Sequence, residues 1–242
     1  MEYVKLLLCI ALLPVFIIGY FIYKGDKIEK ESSRILCIVI IGGILSSLIT
    51  LLLSGFLDMA FPFYSISNED NINLLQLIPY YFLGVAIIEE LSKWIMIYIF
   101  IWKSNEFNYL YDSIVYCVFA GLGFAAIENV LYVLVSGVGT GILRGVFSIP
   151  GHAFFAVYMG YYLGLSKLLA IKGNNKKSNK YFVFSIIVPF LLHGTFDYLL
   201  AVSTRYVIAF PVFLIYVVLL YIFAIKKVKR ISNIKVSMYG NN

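Results

Sequence analysis

Along the chain, stretches of about twenty or more mostly apolar residues alternate with short polar breaks, and that length is what a helix needs to cross the hydrocarbon core of a bilayer. Seven such stretches stand out, at 3–23, 35–57, 74–102, 109–135, 146–171, 181–203 and 206–225. The pattern predicts an all-α fold, a polytopic transmembrane helical bundle of about seven spans. The third to fifth stretches are long enough to tilt or to extend past the hydrocarbon. Residues 58–73, with Pro62, Ser65, Asn68, Glu69 and Asp70, read as a polar loop or surface-lying segment, residues 172–180 as a Lys/Asn-rich turn, and the tail from 226 onward as basic. No soluble domain fits between the spans, so residues 1–242 read as one integral membrane domain.

Composition agrees with lipid as part of the solvent. The chain is 62% apolar and 13% charged, whereas soluble domains are about 45–50% apolar and about a quarter charged. The first stretch has no small-residue cleavage site and reads as a retained span. A net charge of +6 raises the question of nucleic acid, but the basic residues sit in short loops, where they control topology instead. One set of loops holds fifteen of them: Lys24 to Arg34, Lys103, Lys167 to Lys180, and Lys226 to Lys235. The opposite set holds only Lys5, Arg144 and Arg205, together with Asp58, Glu69 and Asp70. The N-terminus is therefore expected outside and the C-terminus in the cytoplasm. Arg144 reads as an interfacial anchor at the outer mouth. Cys9, Cys37 and Cys117 have no CxxC spacing and read as free thiols in apolar surroundings.

Some charges fall where lipid forbids them. Glu89, Glu90 and Lys93 lie inside the third stretch, Glu128 in the fourth and Asp197 in the sixth. Each ionised group at mid-membrane costs about 2.5–3.5 kcal/mol, so five unpaired ones cost on the order of 12–18 kcal/mol. The chain's two histidines, His152 and His193, fall in the fifth and sixth stretches. Lys93 is four residues from Glu89 and three from Glu90, so on a helix it can pair with either carboxylate; His193 and Asp197 are four apart and project together. One lysine cannot neutralise two carboxylates, and the surplus acid calls for a metal, a histidine or a proton. Gly121, Gly123, Ala125 and Ala126 give the fourth stretch a small face for close helix approach. Pro150 and Pro189 bend the helices just before His152 and His193.

At these residues the chain resembles the PrsW family of intramembrane proteases. Glu89-Glu90-Leu91-Ser92-Lys93 matches EExxK, Phe124 to Asn129 matches FxxxEN, and His193-Gly194-Thr195-Phe196-Asp197 matches HxxxD, with His152 between the last two. The motif-bearing core is 74–203. In the related CAAX prenyl endopeptidases and their bacterial immunity-protein relatives, the first motif ends in arginine one residue later and the second in histidine. Here Lys93 and Glu128 hold those places, which matches PrsW. The resemblance implies a multi-pass protease of the bacterial plasma membrane that makes the site-1 cut in a single-span, anti-sigma-factor type of substrate, with no nucleic acid involved.

Peptide hydrolysis needs an activated water, a stabilised oxyanion and a proton for the leaving amine. Glu89 or Glu90 is the expected general base, with Lys93 as the ion-pair partner of the other. Two routes stay open. In one, His152, His193 and Glu128 hold a zinc ion and Asp197 orients His193. In the other, no metal is used; Glu89 and Glu128 polarise the water, and His193 and Asp197 serve the oxyanion and leaving group. The competing class is a transporter or proton-relay channel built on the same acids and histidines. An odd number of spans without a visible repeat fits that class poorly.

Overall fold

The computed structural model describes residues 2–60, 74–234 and 237–240. Among the described residues the fold is all-helical, with one isolated β-bridge, Tyr109 to Ser237. The helices are α1 (Glu2–Gly25), α2 (Ser33–Ala60), α3 (Leu74–Pro79), α4 (Ile87–Ile101), α5 (Leu110–Val146), α6 (Ser148–Ile171), α7 (Asn175–Arg205) and α8 (Phe210–Ile231). Five stretches among the described residues are long and apolar enough to cross a membrane: Glu2–Gly25, Ser33–Leu57, Leu110–Ile171, Asn175–Arg205 and Val207–Ile231.

The 62-residue stretch Leu110–Ile171 folds back on itself. Gly141 lies against Val133, Gly121 against His152 and Gly160 against Ser113, so the chain returns antiparallel to its own first half. The fold-back is at Gly137, whose φ of 80° and ψ of −166° belong to a backbone region open essentially to glycine alone. Residues 136–145, expected as a connection between spans, are thus mostly helical, with the reversal concentrated in one residue.

Three further expectations change. Residues 172–180 are not one turn. The break is confined to 172–174, and α7 starts at Asn175 because the Asn174 side chain accepts a bond from the Lys177 N–H at 3.2 Å. The last helix begins and ends later than 206–225, after a 3₁₀ turn at Val207–Ala209. The segment 74–101 is not a plain helix, since a π-helical stretch, Tyr80–Ala86, separates α3 from α4. In it the Ile87 N–H reaches the Phe82 carbonyl, five residues back, and the widened turn re-aims the helix that carries Glu89 and Glu90. Of the polar segment expected at 58–73, residues 61–73 lie outside the described residues, as does Lys235.

In lipid, apolar surface gives helices little reason to associate, so close packing and polar bonds must hold them. Helix α5 packs on α1, α2 and α6 and also meets α4 and α8. Its small face works in two directions. Gly121 faces α6 at the His152 carbonyl, and a Cβ on Gly123 would stand 2.5 Å from the Ile40 carbonyl oxygen of α2. The largest core fills the space around α5 with Ile97, Ile101, Ile114, Tyr116 and Met159. A second core, Phe155, Phe196, Phe213 and Val217, joins α6, α7 and α8. Phe16, Leu52, Ile99 and Ile215 are exposed, as lipid-facing positions should be.

The approach of α2 to α5 makes Gly123→Val a direct test. The added side chain meets backbone rather than a movable side chain, and the expected loss is about 1–3 kcal/mol, read as an earlier thermal melt of helicity in detergent. An unchanged melt would mean that the two helices are not this close.

Candidate active site

Four helices each contribute one to three polar side chains to the same layer. Glu89 and Glu90 open α4, with Lys93 one turn on; Glu128 is on α5, His152 on α6, and His193 and Asp197 on α7. Consecutive helical residues point about 100° apart, and that rotation separates the two glutamates. Glu89 lines a cavity of about 810 Å³, together with Glu128, Arg144, His152, His193 and Asp197. Glu90 faces inward, between Lys93 and His193.

The ammonium of Lys93 is the hub. Its side chain is only 2% exposed, and Nζ lies 2.7 Å from Glu90 Oε1 and 3.4 Å from Glu89 Oε2. It also lies 3.1 Å from His152 Nδ1 and 3.9 Å from the centre of the Phe124 ring. An ammonium has donors only, so Nδ1 of His152 accepts from it, and Nε2–H is left to donate to Glu128 Oε2 at 2.9 Å. Both nitrogens of His193 face carboxylates: Nδ1 is 2.9 Å from Glu90 Oε1, and Nε2 is 3.2 Å from Asp197 Oδ2 and 3.9 Å from Glu89 Oε2. The two imidazoles stand nearly perpendicular, 5.1 Å apart, and Phe155 stacks on His193 at 4.9 Å.

Every residue expected from the sequence is therefore in one connected network. Arg144 is the residue whose part was missed. It is not an isolated anchor at the mouth; its Nη2 lies 2.9 Å from Glu128 Oε2, its Nε donates to Asn129 Oδ1 at 3.1 Å, and its guanidinium covers the Tyr132 ring at 4.0 Å. Asn129 in turn donates to the Ala11 carbonyl at 2.9 Å, which fastens α1 to the site. Arg144 is sixteen residues beyond Glu128 and would be far from it on a straight helix. The reversal at Gly137 brings it back. The signal in the sequence is the glycine-rich run Gly137, Gly139, Gly141 and Gly145.

The donor set fits a zinc ion in kind. Glu89, Glu90, His152 and His193 each offer one donor atom, all within 4.8 Å of one another, and imidazole with carboxylate is the ligand stock of hydrolytic zinc sites. Oε2 of Glu90 is buried without a hydrogen-bond partner. Glu128 stands outside this group of four, on the far side of His152, as its hydrogen-bond acceptor. Lys93 Nζ stands among the same donors, so an ion would have to take over contacts that the ammonium now makes.

A family model described as PrsW family intramembrane metalloprotease matches residues 31–225. A protein of Oceanobacillus iheyensis named Protease PrsW is 34% identical over 224 residues, 93% of this chain and 95% of its own length. Its namesake in Clostridioides difficile is 30% identical over 240 residues, 98% of this chain and 95% of the relative. Another, from Geobacillus kaustophilus, is 42% identical over 125 residues, 52% of this chain and 53% of the relative. No solved structure matches the chain.

Two outcomes are expected from this geometry. Lys93→Met leaves Glu90 buried without its counter-charge and should cost about 3–5 kcal/mol; adding Glu90→Gln should recover part of the loss, measured as the thermal midpoint in detergent. Gly137→Ala puts a Cβ on a backbone that rejects one and should cost about 1–3 kcal/mol. By contrast Gly139→Ala, in open space on a helix, should be neutral or stabilising. Equal melts for the two glycine variants would contradict the hairpin.

Proposed function

The chain belongs to the PrsW family of intramembrane metalloproteases, multi-pass proteins of bacterial membranes, and from that premise we propose that it cleaves a single-span, anti-sigma-factor type of membrane protein near the extracellular face, as a site-1 cut. The observation that carries this reading is the polar cavity inside the bundle, which Glu89, Glu128, both histidines and Asp197 line together. The protease domain is taken as 1–242 and its catalytic core as 74–203.

The sidedness rests on how the ends of the bundle differ. The basic loops meet at one end: Lys27 bonds Asn233 at 2.9 Å, Asn108 bonds Glu29 at 3.2 Å, and Lys167 bonds the Ser104 carbonyl at 3.2 Å. The cavity is lined at the other end, by Arg144, Thr204 and Arg205. Seven passes with the N-terminus outside put the basic end in the cytoplasm and the cavity in the outer half.

Glu89 is the general base. It is the glutamate of the pair that lines the cavity, and its Oε2 is held loosely, 3.4 Å from Lys93 and 3.9 Å from His193. It takes a proton from the attacking water and passes one to the leaving amine. Glu90 is the positioning partner; its Oε1 fixes both Lys93 Nζ and His193 Nδ1. His193, oriented by Glu90 and Asp197, faces the reacting groups on the leaving-group side. Glu128, clamped by His152 and Arg144, borders the water site from the opposite helix. A zinc ion held by Glu90, His152 and His193 would supply a Lewis acid for the scissile carbonyl and leave Glu89 free as the base. One observation favours the metal-free alternative, in which Glu89 and Glu128 polarise the water: the Lys93 ammonium already serves the donors that a metal needs.

Co-expression with candidate single-span proteins should yield a truncated product. Glu89→Gln should lower its rate of formation by on the order of 10²–10⁴ while the enzyme's melt is preserved. Cleavage undiminished in that variant would remove Glu89 from the chemistry. Purified active enzyme should carry one zinc per chain, lost with His152→Ala or His193→Ala; full activity without zinc selects the metal-free route.

A further inference from the structure

We propose that Asp26, Glu31 and Asp112 form a second site, structural in purpose, for a hard divalent cation such as magnesium or calcium, at the end of the bundle away from the catalytic cavity. Asp26 and Glu31 lie between α1 and α2, and Asp112 is in the first turn of α5. All three are buried, and each offers a carboxylate oxygen within 4.8 Å of the others. Oxygens bound to calcium stand about 2.3–2.6 Å from the ion, so two of them on one ion are at most about 4.6–5.2 Å apart, and the three oxygens are close enough together to share one ion. Carboxylates without nitrogen or sulfur select hard ions over zinc or copper.

Each carboxylate is oriented by hydrogen bonds from the protein, and Glu31 and Asp112 also bond each other, as a carboxyl–carboxylate pair whose shared proton a cation would replace. Asp26 Oδ1 accepts from the Ile28 N–H at 3.3 Å, Asp112 Oδ2 accepts from the N–H groups of Asn108 and Tyr109 at 2.9 and 2.6 Å, and Glu31 Oε2 accepts from the Tyr116 hydroxyl. A second observation goes beyond the clustering of acids. Asp26 is 4% exposed, and its other oxygen, Oδ2, is buried with no hydrogen-bond partner. Such an atom costs free energy unless something positive meets it. The nearby ammonium groups are engaged elsewhere: Lys30 bonds the carbonyls of Tyr23 and Asp26, and Lys167 bonds the Ser104 carbonyl and covers the Phe107 ring. Among the described residues no ion pair reaches any of the three acids.

With no cation present, burial first and then the neighbouring Asp112 charge push the Glu31 carboxyl up to about 9. A proton is therefore the competitor for the site. A cation would instead tie the α1–α2 connection to the start of α5, the helix that carries Glu128 about four turns further on. It would join the clasp made there by the C-terminal tail, where the Met238 N–H donates to the Asn108 carbonyl at 2.7 Å.

The test uses the full-length protein in detergent, stripped with a chelator and titrated with manganese(II), with binding read from the loss of the free-ion electron-spin resonance signal. One equivalent should bind in His193→Ala, which lacks part of the catalytic donor set, and magnesium or calcium should displace it. The thermal midpoint should rise by about 2–4 °C for each kcal/mol of binding energy. Asp26→Asn and Glu31→Gln should each abolish that binding and the rise, with helicity unchanged; if one of them fails to fold, the other decides. Binding retained in both would overturn the proposal. So would a parent protein that retains no manganese but is stabilised by Glu31→Gln, because the cluster would then hold only a proton.

Discussion

A charge inside hydrocarbon persists only if another charge or a strong hydrogen bond meets it, and in this bundle the groups that meet one another come from different helices. Lys93 is where the requirement closes. Its ammonium joins Glu89 and Glu90 on its own helix to His152 of α6 and to the ring of Phe124 on α5. From His152 the chain of contacts runs through Glu128 and Arg144 to Asn129 and the α1 backbone, and from Glu90 through His193 to Asp197. Helix association in lipid has no hydrophobic drive to spare. The polar network of the candidate site is therefore also a main reason that α4, α5, α6 and α7 stand together.

The same requirement explains the reversal at Gly137. Glu128 needs a cation as well as His152, and Arg144 can reach it only if the chain turns back within a few residues. A long loop would deliver the arginine too, but it would leave unpaired backbone groups where water is scarce. A helix that reverses at one glycine keeps its hydrogen bonds on both sides of the bend. The glycine-only backbone at that point is the structural cost of seating the arginine.

Much of this was legible in the sequence because helical periodicity is local. The apolar stretches, the spacing of Glu89, Glu90 and Lys93, and that of His193 and Asp197 all follow from residues within one turn of each other. What was not legible depends on long-range placement or on a local change of helical type. The π-helical stretch before Glu89 has no apolar pattern of its own. The pairing of Arg144 with Glu128 requires knowledge of the hairpin. Asp26, Glu31 and Asp112 look like ordinary acids at the ends of spans, and only packing shows that the first two, more than eighty residues away in sequence, converge on the third. The order of the motifs picked out residues that the fold brings together; which atom bonds which was beyond them.

The adjacent glutamates show how a helix can divide two duties between identical side chains. A site of this kind must be locked, so that its charges are tolerated in lipid, and open, so that a water can be activated. One carboxylate cannot do both, because the contacts that hold it also occupy the lone pairs that accept a proton. A rotation of about 100° per residue sends Glu90 into the core, where one oxygen serves Lys93 and His193 together. The same rotation leaves Glu89 on the cavity wall with longer contacts to those two groups. The locked glutamate sets the positions of the lysine and the histidine, and these in turn set the field in which the open one works. The doubled glutamate of the EExxK motif is thus the shortest sequence that puts one enclosed and one cavity-facing carboxylate around a single lysine.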